Sequence, residues 1–295
     1  MADLQIYVLN VGQADTAILV TPGGKFVLID AVRPAKTLAL LKAINGGSYP
    51  RLDCLVVTHP HQDHYSGVAG VLAQVDLDTA ILPPFWYDEG TPGYHQAVNA
   101  ITTEPGTQVR FLAGYERLYP DSQGYPGADP CYLELLGPPN DLLTELVDDK
   151  KFNMNHLSII ARLNLGKFRM VFAADAQMEN WSHYDSERML RDNCTVLKAA
   201  HHGSKNGTQW ERLERLEPRY VLVSSDPDGR DELPDLVGCS VFHTYQRRGD
   251  APCVALTRTC GSVRISVSAK GQLKGVDSFG EDVNEVPDLA NGRPV

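Results

Sequence analysis

The sequence has no apolar run long enough to cross a bilayer as a helix, which takes about 20 residues. Its start lacks a charged-then-apolar leader. Asp3 comes almost at once and Leu4–Val11 already has the pattern of a strand, so the expectation is a cytoplasmic protein with no membrane partner. The six cysteines (Cys54, Cys131, Cys194, Cys239, Cys253 and Cys260) are scattered, and no two form a CxxC pair. That excludes a zinc knuckle and, without a leader, favours free thiols over a disulfide framework. Basic residues are in deficit: 27 Lys and Arg stand against 37 Asp and Glu, for a net charge of −10 at pH 7. Proteins that grip nucleic acid through phosphates usually present a basic surface. The total therefore favours no such role, although a metal centre with a local basic patch can hold a phosphate on an acidic protein. No internal repeat is present.

What is there is the balance of an ordinary globular chain, 43% hydrophobic and 22% charged, and 295 residues fit one large α/β domain. Apolar β-forming runs at Leu4–Asn10, Thr16–Val20 and Phe26–Ile29, separated by Gly12 and Pro22–Gly24, predict opening antiparallel strands. Helical spacing follows at Ala35–Ile44, a buried strand at Leu55–Val57, a helix at Val68–Val75 and a strand at Thr79–Leu82. Residues 83–139 are rich in Pro, Gly and Tyr and read as insertion-like material over the site, with a helix near Tyr94–Thr103 and strands near Val109–Leu112 and Cys131–Leu136. Its aromatic segment Phe85–Tyr94 fits a lid, a partner surface or core packing. A hairpin is expected over Asn155–Leu165 and Phe168–Ala173, and a helix over Glu179–Arg191. Strand, helix and strand follow at Cys194–Ala199, Gln209–Leu216 and Tyr220–Ser224. Val254–Thr257 and Val263–Ser268 are expected to form a last strand pair. Residues 276–295 read as a polar, acidic tail after a single domain at 1–275. The alternation suits an α/β sandwich of two sheets between outer helices.

The chemistry concentrates in VVTHPHQDHYSG, where His59, His61, Asp63 and His64 fall within six residues after a buried strand. In an extended loop, residues two apart point the same way, so His59 and His61 can bite one metal ion. Asp63 and His64 open the next helix and can face a second. Imidazole and carboxylate suit zinc, iron or manganese with a position open for water. Farther on, LKAAHHGSKNGT runs a buried strand into His201 and His202. Adjacent residues of an extended chain point to opposite sides. One histidine of the pair is then a direct ligand and the other is not. His202 is favoured as the ligand and His201 as the group on the substrate side, with the reverse left open.

The HxHxDH pattern of His59–His64 resembles the signature of the metallo-β-lactamase superfamily. That resemblance implies an αββα sandwich of two mixed β-sheets flanked by helices, a site at the sheet edges and two divalent ions, zinc first, with manganese or iron as alternatives. MVFAADAQ resembles the strand-then-Asp motif usually written TGD, with AAD in its place, and implies that Asp175 bridges the ions. The superfamily supplies another histidine before that aspartate, which makes His156 the expected third ligand of the first ion. HHGS, the opening LNVGQADTAILV…FVLIDAV and the stretch NHLSIIARLNLGKFRMVFAAD are similar to the hydrolase domain of the competence protein ComEC and its free-standing relatives. The likeness spans about Leu4 to Ser268 and is poor over 83–139. ComEC-type chains often carry Asp where His61 stands and Asn near His156. By the same resemblance Asp30, at a strand end, supports the histidine loop, and Asp15 is a second candidate for such a role.

The resemblance implies a phosphodiesterase acting on nucleic acid or a small phosphodiester, with a water activated between two ions. Asp63 would orient that water and His201 would protonate the leaving group. Lys205, Asn206 and His243 are candidates to hold the substrate, as are Arg247 and Arg248. The alternatives are a lactone, ester or thioester hydrolase of the same fold, because fold does not fix function, and an effector that needs a protein partner or a homo-oligomer.

Overall fold

The computed structural model describes residues 2–84, 92–121, 130–140, 143, 153–183, 193–226, 233–247 and 253–279. Strand alternation builds its layers. In β1 (Leu4–Val8), Leu4, Ile6 and Val8 join one apolar cluster while Tyr7 joins another, as a period of two requires. Around it lie β2 (Ala17–Val20), β3 (Phe26–Ile29), β4 (Leu52–Val56), β5 (Leu77–Leu82), β6 (Gln108–Phe111), β14 (Ser262–Val267) and β15 (Leu273–Phe279). They form a mixed sheet in the order β15–β14–β1–β2–β3–β4–β5–β6. The second sheet takes β7 (Tyr115–Leu118), β8 (Cys131–Leu136), β9 (Ile160–Leu165), β10 (Phe168–Phe172), β11 (Val196–Lys198), β12 (Tyr220–Val223) and β13 (Cys253–Leu256), in the order β13–β12–β11–β10–β9–β8–β7.

Between the sheets Ile6, Val8, Leu19 and Val56 meet Leu133, Leu163, Phe168 and Met170. On the outer face of the first sheet, Leu40 and Leu41 of α1 (Pro34–Ile44) pack with Leu28, Leu55 and Ala80. Val71 of α3 (Val68–Leu72) and Ile101 of α4 (Pro92–Thr103) belong to the same layer. The short α2 (Gln62–Tyr65) lies within the histidine loop. On the outer face of the second sheet, Trp181 of α5 (Met178–His183), Leu213 of α6 (Trp210–Leu216) and Phe242 of α7 (Leu236–Gln246) cover Val171, Leu197 and Val221. This is the αββα sandwich of two mixed sheets that the metallo-β-lactamase resemblance implies.

Four expectations change. The described parts of residues 83–139 are integral to the sandwich: they supply α4, β6 on the edge of the first sheet and the β7–β8 pair of the second. The Pro and Gly content reads as an insertion because it marks the turns between these short elements. The strands near 254 and 263 do not pair with each other. β13 runs parallel to β12, while β14 pairs with β1, and α8 (Thr257–Cys260) with Gly261 at φ 71° carries the chain from one sheet to the other. Residues 273–279 form the edge strand β15, so the expected tail begins inside the fold, and residues 280–295 lie outside the described residues. Helix α7 was not expected, because its apolar residues do not share a face: Leu236 is 90% exposed while Phe242 and Tyr245 are buried. The expected helix at Glu179–Arg191 is described only as Met178–His183, and residues 85–91 of the aromatic segment are outside the described residues. No described helix is long and apolar enough to cross a membrane.

Candidate metal centre

The centre sits where strands of both sheets end on one side. β3 runs into Asp30, β4 into Thr58 and His59, β10 into Asp175, and β11 into His201 and His202. Backbone bonds tie these ends together. Asp30 N donates to Val56 O (2.8 Å), Asp15 N to Asp63 O (3.0 Å), Ile159 N to Thr58 O (2.8 Å) and His201 N to Ala174 O (2.8 Å). Four of the six non-glycine residues with left-handed φ among the described residues lie here: Asp30, Ala174, His201 and His202. Such conformations cost energy and persist where the surroundings hold them, which is common at functional sites.

Two sets of donors converge on one carboxylate. His59, His61 and Asp175 offer atoms within 4.8 Å of one another, and so do Asp63, His64, Asp175 and His202. The two oxygens of Asp175 divide between the sets. Oδ2 lies 3.4 Å from His59 Nε2, and Oδ1 lies 3.3 Å from His64 Nε2 and 3.6 Å from His202 Nε2. His202 Nε2 is also 3.4 Å from Asp63 Oδ2. Donors bound at about 2.1 Å to one tetrahedral ion stand about 3.4 Å apart. The observed spacings match that edge. They are not aligned as hydrogen bonds, for His59 Nε2, His64 Nε2, His202 Nε2 and Asp175 Oδ1 are all buried without a hydrogen-bond partner. Buried polar atoms are normally satisfied, and four of them aimed at two points fit metal ions.

A third set, Asp15, Asp30 and His64, has a different character. Asp30 Oδ2 is 2.7 Å from His64 Nδ1 and accepts from Thr58 Oγ1 (2.7 Å), and Oδ1 accepts from Thr58 N (2.7 Å). These are hydrogen bonds, shorter than a coordination edge. They fix the His64 ring with Nε2 toward Asp175, the usual carboxylate support of a ligating imidazole. Asp15 is paired with Lys198, whose Nζ is 2.7 and 2.8 Å from its two oxygens, and lies 3.8 Å from His202 Nδ1.

The charges follow from this packing. Burial opposes ionisation of Asp175, yet His59, His64 and His202 around it hold its carboxyl well below the usual range. Asp63 is also lowered: burial works against it, and the neighbouring His202 and the charge of His64 prevail. Burial likewise opposes a charge on His64, but Asp30 and Asp175 raise it well above its ordinary value, and Asp175 and Asp63 raise His202. Burial and then the neighbouring His59 bring His61 down to about 4. Burial also lowers His201.

Not every expected site residue gathers here. His156 belongs to neither donor set. It sits on a 3-10 turn (Met154–Leu157), its carbonyl is bound by Asn180 Nδ2, and its Nε2 lies 3.4 Å from Glu179 Oε2. His201 is also in neither donor set but borders the centre, with Nε2 3.8 Å from Asp175 Oδ2 and Nδ1 2.9 Å from Ser204 Oγ. Lys205 and Asn206 are exposed, and Lys205 N donates to Asp235 Oδ2 (2.8 Å). His243 is exposed on α7, whose other face packs into the outer core, and is in neither donor set. Arg247 is exposed and Arg248 lies outside the described residues. Thr58, Ser204 and Lys198 were not singled out from sequence. Lys198 left a signal, as a lone lysine in an apolar strand just before the histidine pair.

A model of the metallo-β-lactamase superfamily matches residues 11–135. No curated protein matches in sequence. Among solved structures, CmlA, a diiron β-hydroxylase from Streptomyces venezuelae, is 16% identical with a TM-score of 0.55, over 90% of this chain and 54% of that one. The chain thus spans about half the length of CmlA. Tm1679, described as a metal-dependent hydrolase of the β-lactamase superfamily, is 12% identical with a TM-score of 0.54, over 90% of this chain and 99% of that one. At these identities the likeness is one of fold. Together, these comparisons show that the chain has the metallo-β-lactamase fold and that residues 11–135 resemble the sequences of that superfamily.

Proposed function

We propose that the chain is a dinuclear metal-dependent hydrolase and that its substrate is a phosphodiester. The observation that carries the metal centre is Asp175, fully buried with each oxygen facing a separate imidazole set at coordination-edge spacing. His59, His61 and Asp175 would hold one ion, and Asp63, His64, Asp175 and His202 the other. Divalent ions held there supply Lewis acidity and bring the pKa of a coordinated water toward neutrality. The protein's own part is positioning. Asp30 fixes His64, and Asp15, held ionised against burial by Lys198, faces His202. His59, His64, His202 and Asp175 have side chains no more than 2% exposed, whereas those of Asp63 and His201 are 33% and 22% exposed and His61 is half-buried. Those three groups define the open side on which a substrate would lie, and Asp63 stands there to accept a hydrogen bond from an attacking water.

Phosphodiester specificity is supported by the likeness of the LNVGQADTAILV opening and HHGS to ComEC-type hydrolase domains. The substrate would be nucleic acid or a small phosphodiester. The test is turnover of bis(p-nitrophenyl) phosphate with zinc, manganese or iron, the last because CmlA is a diiron protein. Activity abolished by chelator and by Asp63→Ala and His64→Ala is the expected result. Metal-loaded protein that is inert on the phosphodiester but releases acid from lactones or esters would replace the substrate assignment. Protein that binds no metal would overturn the whole reading.

A further inference from the structure

The histidine pair does not follow the alternation of a strand. His201 has φ 47° and ψ 47°, His202 φ 52° and ψ 23°, and Gly203 continues at φ 84°. Three consecutive residues are therefore left-handed. Successive side chains of a helical turn diverge by about 100°, not by the 180° of a strand. Both imidazoles can then turn toward the same carboxylate, and they do: His201 Nε2 lies 3.8 Å from Asp175 Oδ2, and His202 Nε2 lies 3.6 Å from Asp175 Oδ1. Gly203 makes the turn possible, since a Cβ there would come within 2.7 Å of Pro234 and 2.9 Å of Phe242. The His201 ring is held from behind by Ser204 Oγ at 2.9 Å from Nδ1, with Gln177 Nε2 at 3.4 Å. Nδ1 is thereby occupied and Nε2 faces the centre.

The His59–His61–Asp175 set has two imidazoles and one carboxylate oxygen, and His156 and His201 both stand outside it: His156 Nε2 lies 3.4 Å from Glu179 Oε2, whereas His201 Nε2 lies 3.8 Å from Asp175 Oδ2, the oxygen that faces His59. We propose that His201 is the third imidazole of the ion held by His59 and His61, so that the two adjacent histidines serve one ion each through the two oxygens of Asp175. This rests on the dinuclear reading above and replaces the proton-donor role expected for His201. The chain spends two left-handed non-glycine residues on one short turn because that turn delivers a ligand to each ion.

The test is metal stoichiometry and the visible absorption of cobalt-substituted protein, for the wild type, His201→Asn and His156→Asn. Asparagine is chosen because it tolerates left-handed φ while its amide is a poor ligand for zinc. The wild type is expected to retain two ions per chain after dialysis. His201→Asn is expected to retain one and to lose the absorption of the more weakly held cobalt, and His156→Asn is expected to retain both. Added imidazole should restore the second ion to His201→Asn, which a misfolded variant could not show. Two ions retained by His201→Asn with reduced turnover alone would overturn the inference and return His201 to proton transfer. Loss of an ion from His156→Asn, with His201→Asn unaffected, would overturn it in favour of His156. A wild type without metal would instead sink the dinuclear reading on which it rests.

Discussion

Single residues at this centre act through the atoms they leave free. Asp30 is the clearest case. It is buried, left-handed, and spends both oxygens on Thr58 and His64, so its work is to hold one imidazole in one tautomer with Nε2 outward. Asparagine would keep its volume and its tolerance of positive φ but would offer a single acceptor oxygen. Partners of this kind change metal affinity by about 10- to 100-fold when altered. Asp30→Asn is therefore expected to weaken zinc binding by about that factor with little change in secondary structure, read by competition with a chromogenic chelator. Unchanged affinity would mean that His64 needs no such support. Thr58 belongs to the same unit, because its backbone and hydroxyl hold Asp30 in turn.

At the scale of elements, the second sheet carries a buried ion pair away from the site. Glu134 on β8 accepts from Arg162 on β9 through Nε (2.9 Å) and Nη2 (2.7 Å), and Asn164 and Arg117 bind the same carboxylate. Removing one partner of a buried pair strands the other charge, at a cost of about 3–5 kcal/mol. Glu134→Ala is expected to lower unfolding stability by roughly that amount in denaturant titration, without altering metal content. The pH dependence has a definite sign. Burial opposes the charge of Glu134, but Arg162 wins and holds its carboxyl below the usual glutamate value. Its contribution is thus complete above the unfolded value and lost as pH falls through the folded one. The gap between wild type and variant should narrow below about pH 4. A gap that stays constant down to pH 2 would assign the loss to packing instead.

Across the whole molecule the centre joins the two sheets. His59, His61, Asp63 and His64 follow β4 of the first, while Asp175, His201 and His202 follow β10 and β11 of the second. Ions bound at the proposed site would join the layers, so metal is expected to stabilise the protein against global unfolding, by about 2.7 kcal/mol at a free concentration 100 times the dissociation constant. In the metal-free chain burial opposes a charge on His64 and His202, but Asp30 and Asp175 beside the first, and Asp175 and Asp63 beside the second, raise both above the ordinary histidine value. Each must shed a proton from Nε2 before it can bind an ion. Zinc uptake is therefore expected to release protons near neutral pH and to tighten as pH rises, measured by titration calorimetry in buffers of different ionisation enthalpy. Heats that do not vary with the buffer would show that these imidazoles are neutral before the metal arrives. The strand order that brings the candidate metal-binding loops together was only partly legible. Most strands could be located from apolar runs, but the assignment of β13 and β14 to different sheets, the integration of 83–139 and the edge strand β15 depend on contacts between distant segments.

The sequence alone determined the histidine-rich loop, because His59, His61, Asp63 and His64 are close along the chain and follow a buried strand, so that local spacing fixes their neighbourhood. It also marked Asp175 and the histidine pair as strand-end residues. The tertiary structure decided how the two oxygens of Asp175 divide between imidazole sets. It placed His156 beside Glu179, set Lys198 against Asp15, and turned His201 and His202 the same way. The physical reason is that a side-chain pattern carries the period of an element but not the sign of φ at its end. A left-handed turn at a strand terminus is imposed by packing, here of Gly203 against Pro234 and Phe242, and that turn decides which nitrogen faces which oxygen.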